Sequence, residues 1–280
     1  MAAIHFLNPA PLMWDFEHEP ERSSLRERYQ IGYTTPSSCA AELAAGEADI
    51  GLVPDAAHAL TPSLSVVPGC TVAALDRVRS IILVVRAQQG VNGVRTIAAD
   101  TSSLTSCAYT RILFEIFWKV PAVFIPHEPH LESMLAVADA ALLIGDPALL
   151  ALEAKESRAF RTGEQLLYLD LAHEWFGFTG LPWVSAFWAV DPRALEETGI
   201  SASKLVEDLQ TSRDHGLEHI EDLVTEWSTR IAVPAETIRF YLTKNIHYIL
   251  DEACLRGLDL FYRYAAECGA LPPAPALRLL

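Results

Sequence analysis

Basic side chains are scarce in this 280-residue chain: 21 Lys and Arg stand against 36 Asp and Glu, a net charge of −15. Reading a nucleic-acid backbone takes a basic stripe, so a nucleic-acid partner is excluded. No apolar run approaches the length of a membrane span, which removes a membrane partner. Yet 51% of residues are hydrophobic, enough for a sizeable core. The opening residues, Met1 to Leu12, hold neither a basic leader nor a signal-type apolar stretch, and a cytoplasmic location is expected. Cysteine is sparse as well. Cys39, Cys70, Cys107, Cys254 and Cys268 are scattered, odd in number and without a CxxC pair, so they read as reduced core residues.

Several chemical signatures are also missing. There is no phosphate loop, dinucleotide fingerprint or GxSxG elbow, and no cofactor is expected. His127-Glu128-Pro129-His130 has a proline inside its HxxH spacing, which does not present both rings on one helix face. His215 and His219 are an i, i+4 pair, but Asp214, Glu218, Glu221 and Asp222 around them read as a solvated, salt-bridged face. No metal is expected.

What the chain does contain is a run of hydroxyls, Asp100-Thr101-Ser102-Ser103-Leu104-Thr105-Ser106. Val94 to Ala99 before it reads as a buried strand, and Tyr109 to Trp118 after it repeats apolar residues at helical spacing. The hydroxyls therefore fall on a strand-to-helix turn, where free N–H groups and the helix dipole favour an anion. Capping the helix takes one hydroxyl, and Thr101, Ser102, Ser103, Thr105 and Ser106 supply five. A second hydroxyl pair, Ser37 and Ser38, opens a helix in the same way after a strand at Tyr29 to Thr34.

The rest of the chain is an α/β pattern. Ile4 to Leu7 reads as a strand stopped by Asn8-Pro9-Ala10-Pro11, which places Asn8 on a loop at a strand's edge. Asp49 to Val53 is another strand, Leu64 to Leu75 one or two more around Gly69, and Ile81 to Arg86 the most strand-like run. The strand–helix–strand rhythm indicates parallel strands with helices on the sheet faces. Asp146-Pro147 reads as a helix N-cap followed by proline. Trp183 to Val190 is a further strand, and Ser201 onward is mostly helical, ending in a Pro-rich tail that looks frayed. We expect two lobes: residues 1–86 with 187–280, and residues 92–182. The strands at 80–86 and 183–190 would be the crossings, with a ligand cleft between the lobes. The C-terminal helices are left either to pack on the first lobe or to form a homodimer interface. Such a cleft, lined by hydroxyls, an Asn, helix N-termini, an Arg and aromatics such as Trp183, suits a small organic anion. On these residues alone, binding protein and enzyme are equally open.

A resemblance narrows this. Phe6-Leu7-Asn8-Pro9-Ala10-Pro11-Leu12 is similar to the YLNTAPL opening of the futalosine-pathway menaquinone biosynthesis family. In order along residues 4–192, Gly46-Glu47 through Pro54, Arg79-Ser80, Asp100 through Ser106, Ala140 through Leu149, and Glu174-Trp175 through Pro182 resemble further motifs of that family. Pro9 departs from the usual Thr. Gly145-Asp146 stands where the sister branch, a lyase acting on cyclic dehypoxanthine futalosine, has His-Glu, so the pattern resembles the chorismate dehydratase branch. The resemblance implies an α/β, two-lobed, type-2 periplasmic-binding-protein-like fold with mixed sheets flanked by helices. It further implies conversion of chorismate, a dianion, to 3-[(1-carboxyvinyl)oxy]benzoate and water. Asn8 and Ser80 are then the expected catalytic pair. Ser37, Ser38, Arg79, Thr101, Ser102, Ser103, Thr105, Ser106, Gly145, Asp146 and Trp183 are the expected substrate contacts. The alternatives kept are the sister lyase acting on cyclic dehypoxanthine futalosine and a non-catalytic small-anion-binding protein.

Overall fold

Two five-stranded sheets organise the described residues, 1–100 and 103–280, of the computed structural model. The first contains β1 (Ala2–Ile4), β2 (Gly32–Thr34), β3 (Ile50–Pro54), β4 (Ser65–Ala74) and β10 (Trp183–Val190), in the order β2-β1-β3-β10-β4. The second contains β5 (Ile81–Arg86), β6 (Thr96–Asp100), β7 (Val123–His127), β8 (Ala140–Ile144) and β9 (Leu166–Asp170), in the order β7-β6-β8-β5-β9. The strand–helix–strand units do run parallel: β1 with β2 and β3, β6 with β7 and β8. However, β10 is antiparallel to β3 and β4, and β5 to β8 and β9, so both sheets are mixed. Their apolar runs suit these inner positions, where sheet neighbours lie on both sides and helices cover the faces.

Sheet membership alters where the lobes divide. The β5 strand lies wholly in the second sheet and β10 wholly in the first, so neither strand is itself a crossing. We propose that the lobes meet at residues 75–80 and 171–182, which moves 81–86 into the second lobe and 183–186 into the first. Other expectations shift locally. The first strand ends at Ile4, with the last contact from His5 N–H to Thr34 O (3.3 Å), so Phe6 and Leu7 leave the sheet. The stretch around Gly69 is one continuous strand with a bulge: Phe187 pairs with Thr71 and Ala189 with Val66. The Pro-rich tail does not fray, because Val66 N–H donates to Arg278 O (2.7 Å) and Leu280 N–H to Val66 O (3.0 Å).

The C-terminal helices pack on the first lobe. Helix Ala202–Glu218 lies against the turn Ala10–Met13 and β4. Gly216 permits this approach, since a Cβ there would come within 2.0 Å of the Pro11 carbonyl oxygen. Ser212 fastens the contact by donating to Leu12 O and accepting from Asp15 N–H, each at 3.0 Å. Helix Glu252–Glu267 packs against both β10 and helix Leu104–Ile112, and so touches elements of both lobes.

At that junction sits an aromatic cluster. Tyr109 stacks on Trp183 (3.7 Å between centroids) and on Phe261 (4.1 Å), while Trp175 meets its edge (4.9 Å). Trp183 is fully buried and donates Nε1–H to Ser185 Oγ at 2.9 Å. Trp183, an expected substrate contact, is thus a fully buried core ring in this structure. Truncating such a ring leaves a cavity that a packed core cannot collapse. Trp183→Ala should cost about 3–5 kcal/mol of stability in chemical denaturation. A cost under 1 kcal/mol would contradict this placement.

Candidate active site

The residues that leave the sheets at their edges meet in one cleft. From the first lobe come Phe6 and Asn8 beyond β1, Pro36 at a helix start, Pro54 at the end of β3, and Ser185 on β10. From the second come Ser80 before β5, Ser103 through Ser106, and Ile144-Gly145 at the end of β8. The cleft between them is open to solvent.

Three helices begin at this cleft: Pro36–Ala45, Leu104–Ile112 and Gly145–Glu153. Each N-terminus carries roughly half a positive charge from the aligned peptide dipoles. No Lys or Arg stands among the described lining residues. The positive potential therefore comes from backbone, and hydroxyls and an amide supply the remaining donors.

The expected site residues fall into four groups. Asn8, Ser80, Ser103, Thr105, Ser106 and Gly145 line the cleft together. Asp146 adjoins it: its carboxylate accepts Leu7 N–H (3.1 Å), and burial raises its pKa against that bond and the charge of His5. It lies within the first turn of its helix and caps nothing, which corrects the N-cap reading. Ser37, Ser38 and Arg79 do not line the cleft. Thr35 caps the helix instead, accepting Ser38 N–H (3.3 Å) and donating to Ser38 Oγ (2.9 Å). Arg79 has a left-handed backbone (φ 62°), donates its N–H to Asp170 (2.7 Å), and extends its guanidinium to Glu153 (3.4 Å). Thr101 and Ser102 lie outside the described residues.

Ser80 is the most unusual of these groups. Its hydroxyl is buried and closes no hydrogen bond of ordinary geometry among the described residues, although it faces the cleft. A buried hydroxyl without a partner costs about 1–3 kcal/mol unless a ligand or water meets it. Beside it stands Tyr241, which sequence reasoning missed. The phenol of Tyr241 feels Ser80 and Asn8 as hydrogen-bonding neighbours, while burial, the first cause, pushes its pKa far up. Nothing in the helical C-terminal pattern marked Tyr241 as part of a site.

Asp55 was missed as well, because Pro54-Asp55 looks like an ordinary strand end. Thr105 Oγ1 donates a very short bond to Asp55 Oδ1 and accepts Ala56 N–H (3.1 Å), tying the two lobes together. Asp55 Oδ2 is buried without a partner among the described residues, and burial holds the carboxyl well above its usual range. Two histidine expectations resolve into side-chain pairs: His215 bonds Asp15 (2.9 Å) and His219 bonds Asp222 (2.8 Å). Outside the cleft lining, His247, Asp251 and Cys254 bring ligand atoms within 4.8 Å of one another. There Asp251 already caps its helix through Cys254 N–H (2.9 Å) and pairs with His247 (3.0 Å), so a structural role accounts for the group.

Two sheets with crossings between them, and a cleft ringed by helix N-termini, define a periplasmic-binding-protein-like α/β protein. Solved structures agree on that fold. A conserved Candida albicans protein, described as having the generic periplasmic-binding-protein fold, matches with a TM-score of 0.63 at 12% identity, covering 100% of this chain and 96% of the other. The alkanesulfonate-binding protein of Xanthomonas axonopodis pv. citri matches at 0.64 and 16% identity, covering 100% and 98%. Within that class the chain belongs to the menaquinone biosynthesis family, whose model matches residues 1–267. A chorismate dehydratase of Thermus thermophilus is 29% identical over 258 residues, 89% of this chain and 90% of that protein.

The Asp55 carboxyl makes a pH prediction with a definite sign. Its pKa is raised in the folded state relative to the unfolded chain, so the fold binds a proton that the unfolded chain releases. The stability tied to that proton is complete below the unfolded value, near pH 3.9, and is lost as pH rises toward the folded value. Asp55→Asn keeps an acceptor for Thr105 and removes the titration. The variant's Tm should therefore fall less than the wild type's between mildly acid and alkaline pH. Parallel curves would show that Asp55 titrates normally.

Proposed function

We propose that the protein is a chorismate dehydratase, converting chorismate to 3-[(1-carboxyvinyl)oxy]benzoate and water on the futalosine route to menaquinone. One observation carries the reading. A cleft without cationic side chains receives three helix N-termini at one end of a cluster holding Asn8 and the unpartnered Ser80 hydroxyl. Such a site suits a small dianion whose charge moves during reaction. The similarity to a Thermus thermophilus chorismate dehydratase supports the same substrate.

The chemistry asks little of the protein in acid–base power. Removal of the ring hydrogen beside the ether oxygen pushes charge through the diene into the ring carboxylate. Loss of hydroxide from the neighbouring carbon then leaves an aromatic ring, and the hydroxide and the abstracted proton together make the water. Aromatisation drives the sequence, so the site must position groups and stabilise the developing charge. The helix N-termini stand ready for the ring carboxylate without reorganising. Asn8 and Ser80 would hold the side-chain carboxylate over the ring hydrogen, making the substrate its own base. Gly145, in place of a histidine at that position, disfavours the sister lyase chemistry. The acidic neighbour Asp146 would lie toward the leaving hydroxyl.

The test is incubation of the purified protein with chorismate, following loss of diene absorbance and the mass of the product. A benzoate one water lighter than chorismate supports the reading. Ser80→Ala should then lower kcat by about 10²–10³, the usual loss when one preorganised donor is removed, with Asn8→Ala similar. Tight chorismate binding without turnover would instead identify a non-catalytic small-anion-binding protein.

A further inference from the structure

Among the described lining residues Phe6 is the one aromatic side chain, and its ring is held in an unusual way. It lies half-buried beyond the end of β1, where the chain has left the sheet. The next residue, Leu7, is fully buried and its N–H is fixed across the cleft by Asp146 Oδ1 at 3.1 Å. The Phe6 ring lies against Gly145. A Cβ at that position would stand 2.9 Å from both Phe6 Cδ2 and Cε2, and 3.2 Å from Cγ, closer than carbon atoms pack. Gly145 is itself immobilised: its φ is +60°, and its N–H donates to Ser80 O at 2.7 Å. The backbone of the second lobe thus supports a phenyl ring from the first, and both residues border the cleft.

We infer that Phe6 is a specificity-determining platform, on which the six-membered ring of the substrate stacks as it flattens toward the aromatic product, and that the bare Gly145 backbone sets its position. This rests on the proposed reaction and names the part of its substrate that the polar residues do not read. Asn8 follows two residues after Phe6, so one short strap presents an apolar face for the ring and an amide for a carboxylate. A planar unsaturated ring offers its face to an aromatic partner; a puckered saturated ring of equal size does not. Aromatic pairing adds about two- to tenfold in affinity beyond simple burial.

The experiment measures binding of benzoate and of cyclohexanecarboxylate to the full-length protein by titration. Turnover of chorismate is recorded separately. Wild type should favour the planar acid by at least about twofold, with Phe6→Tyr retaining that preference and Phe6→Leu losing it at an unchanged Tm. Gly145→Ala should also abolish the preference by displacing the ring, yet have no further effect on it in a Phe6→Leu background. A wild type without preference overturns the platform. So does a Phe6→Leu variant that keeps the preference, or a Gly145→Ala effect of equal size in both backgrounds. Preference without chorismate turnover sinks the proposed reaction and leaves the platform standing; turnover without preference does the reverse.

Discussion

The hydroxyl of Thr105, shared between the Asp55 carboxyl and the Ala56 N–H, fixes the relation on which the cleft depends. Thr105 lies in the first turn of helix Leu104–Ile112, while Asp55 directly follows β3 of the other sheet. The bond therefore holds a helix N-terminus of the second lobe against the strand edge of the first. Leu7 N–H on Asp146 makes the complementary tie, from first-lobe strap to second-lobe helix. Both acceptors are carboxyls whose pKa burial raises, with the effect far larger at fully buried Asp55. Two ties of opposite polarity restrain the lobes where the helix ends converge, and each uses a group that the cleft itself borders.

That convergence solves an electrostatic difficulty. A protein of net charge −15 repels a dianion at long range, and its cleft holds no cationic side chain among the described residues. At physiological salt, charges beyond about 8 Å are largely screened, so the local field decides. Helix ends supply that field through groups that do not titrate and have no side-chain entropy to lose. Arg79, the obvious cation by position, is directed elsewhere by Asp170 on its backbone and Glu153 on its guanidinium. Both partners belong to the second lobe's own framework, so the arginine secures the crossing between sheets instead of a ligand.

How much of this was legible in the sequence depends on the range of the interactions. The hydroxyl-rich turn, the strand at Ile81 to Arg86 and the whole of β10 could be read because local periodicity and helix-start chemistry determine them. Phe6 and Leu7 looked like strand because they are apolar and follow apolar neighbours. Their departure from the sheet is set by what lies across the cleft, Gly145 and Asp146, some 139 residues away for the Leu7 bond. Trp183 looked like a ligand contact because aromatics commonly line pockets; full burial and a stack on Tyr109, from a distant segment, make it core. Asp55 and Tyr241 carried no local signal, since each is significant only through a partner brought by the fold. Motif resemblance located Asn8 and Ser80, but it could not show that the Ser80 hydroxyl lacks a partner.

That unpartnered hydroxyl bears on how a binding fold becomes a catalytic one. A pure binder gains by satisfying every donor around its ligand and closing over it. A site that must stabilise moving charge keeps a donor unspent until the charge arrives, because an interaction already complete in the ground state gives no rate advantage. On the proposed reaction Ser80 would serve in this way. Its carbonyl is engaged by Gly145 N–H at 2.7 Å, and its side chain stands next to the buried phenol of Tyr241. On the proposed reaction, the same glycine thus has two effects, steadying the serine through its N–H and admitting the Phe6 ring through its missing side chain. A substituent at residue 145 would disturb the polar and the apolar halves of the cleft together, so the two cannot be tuned independently at that position.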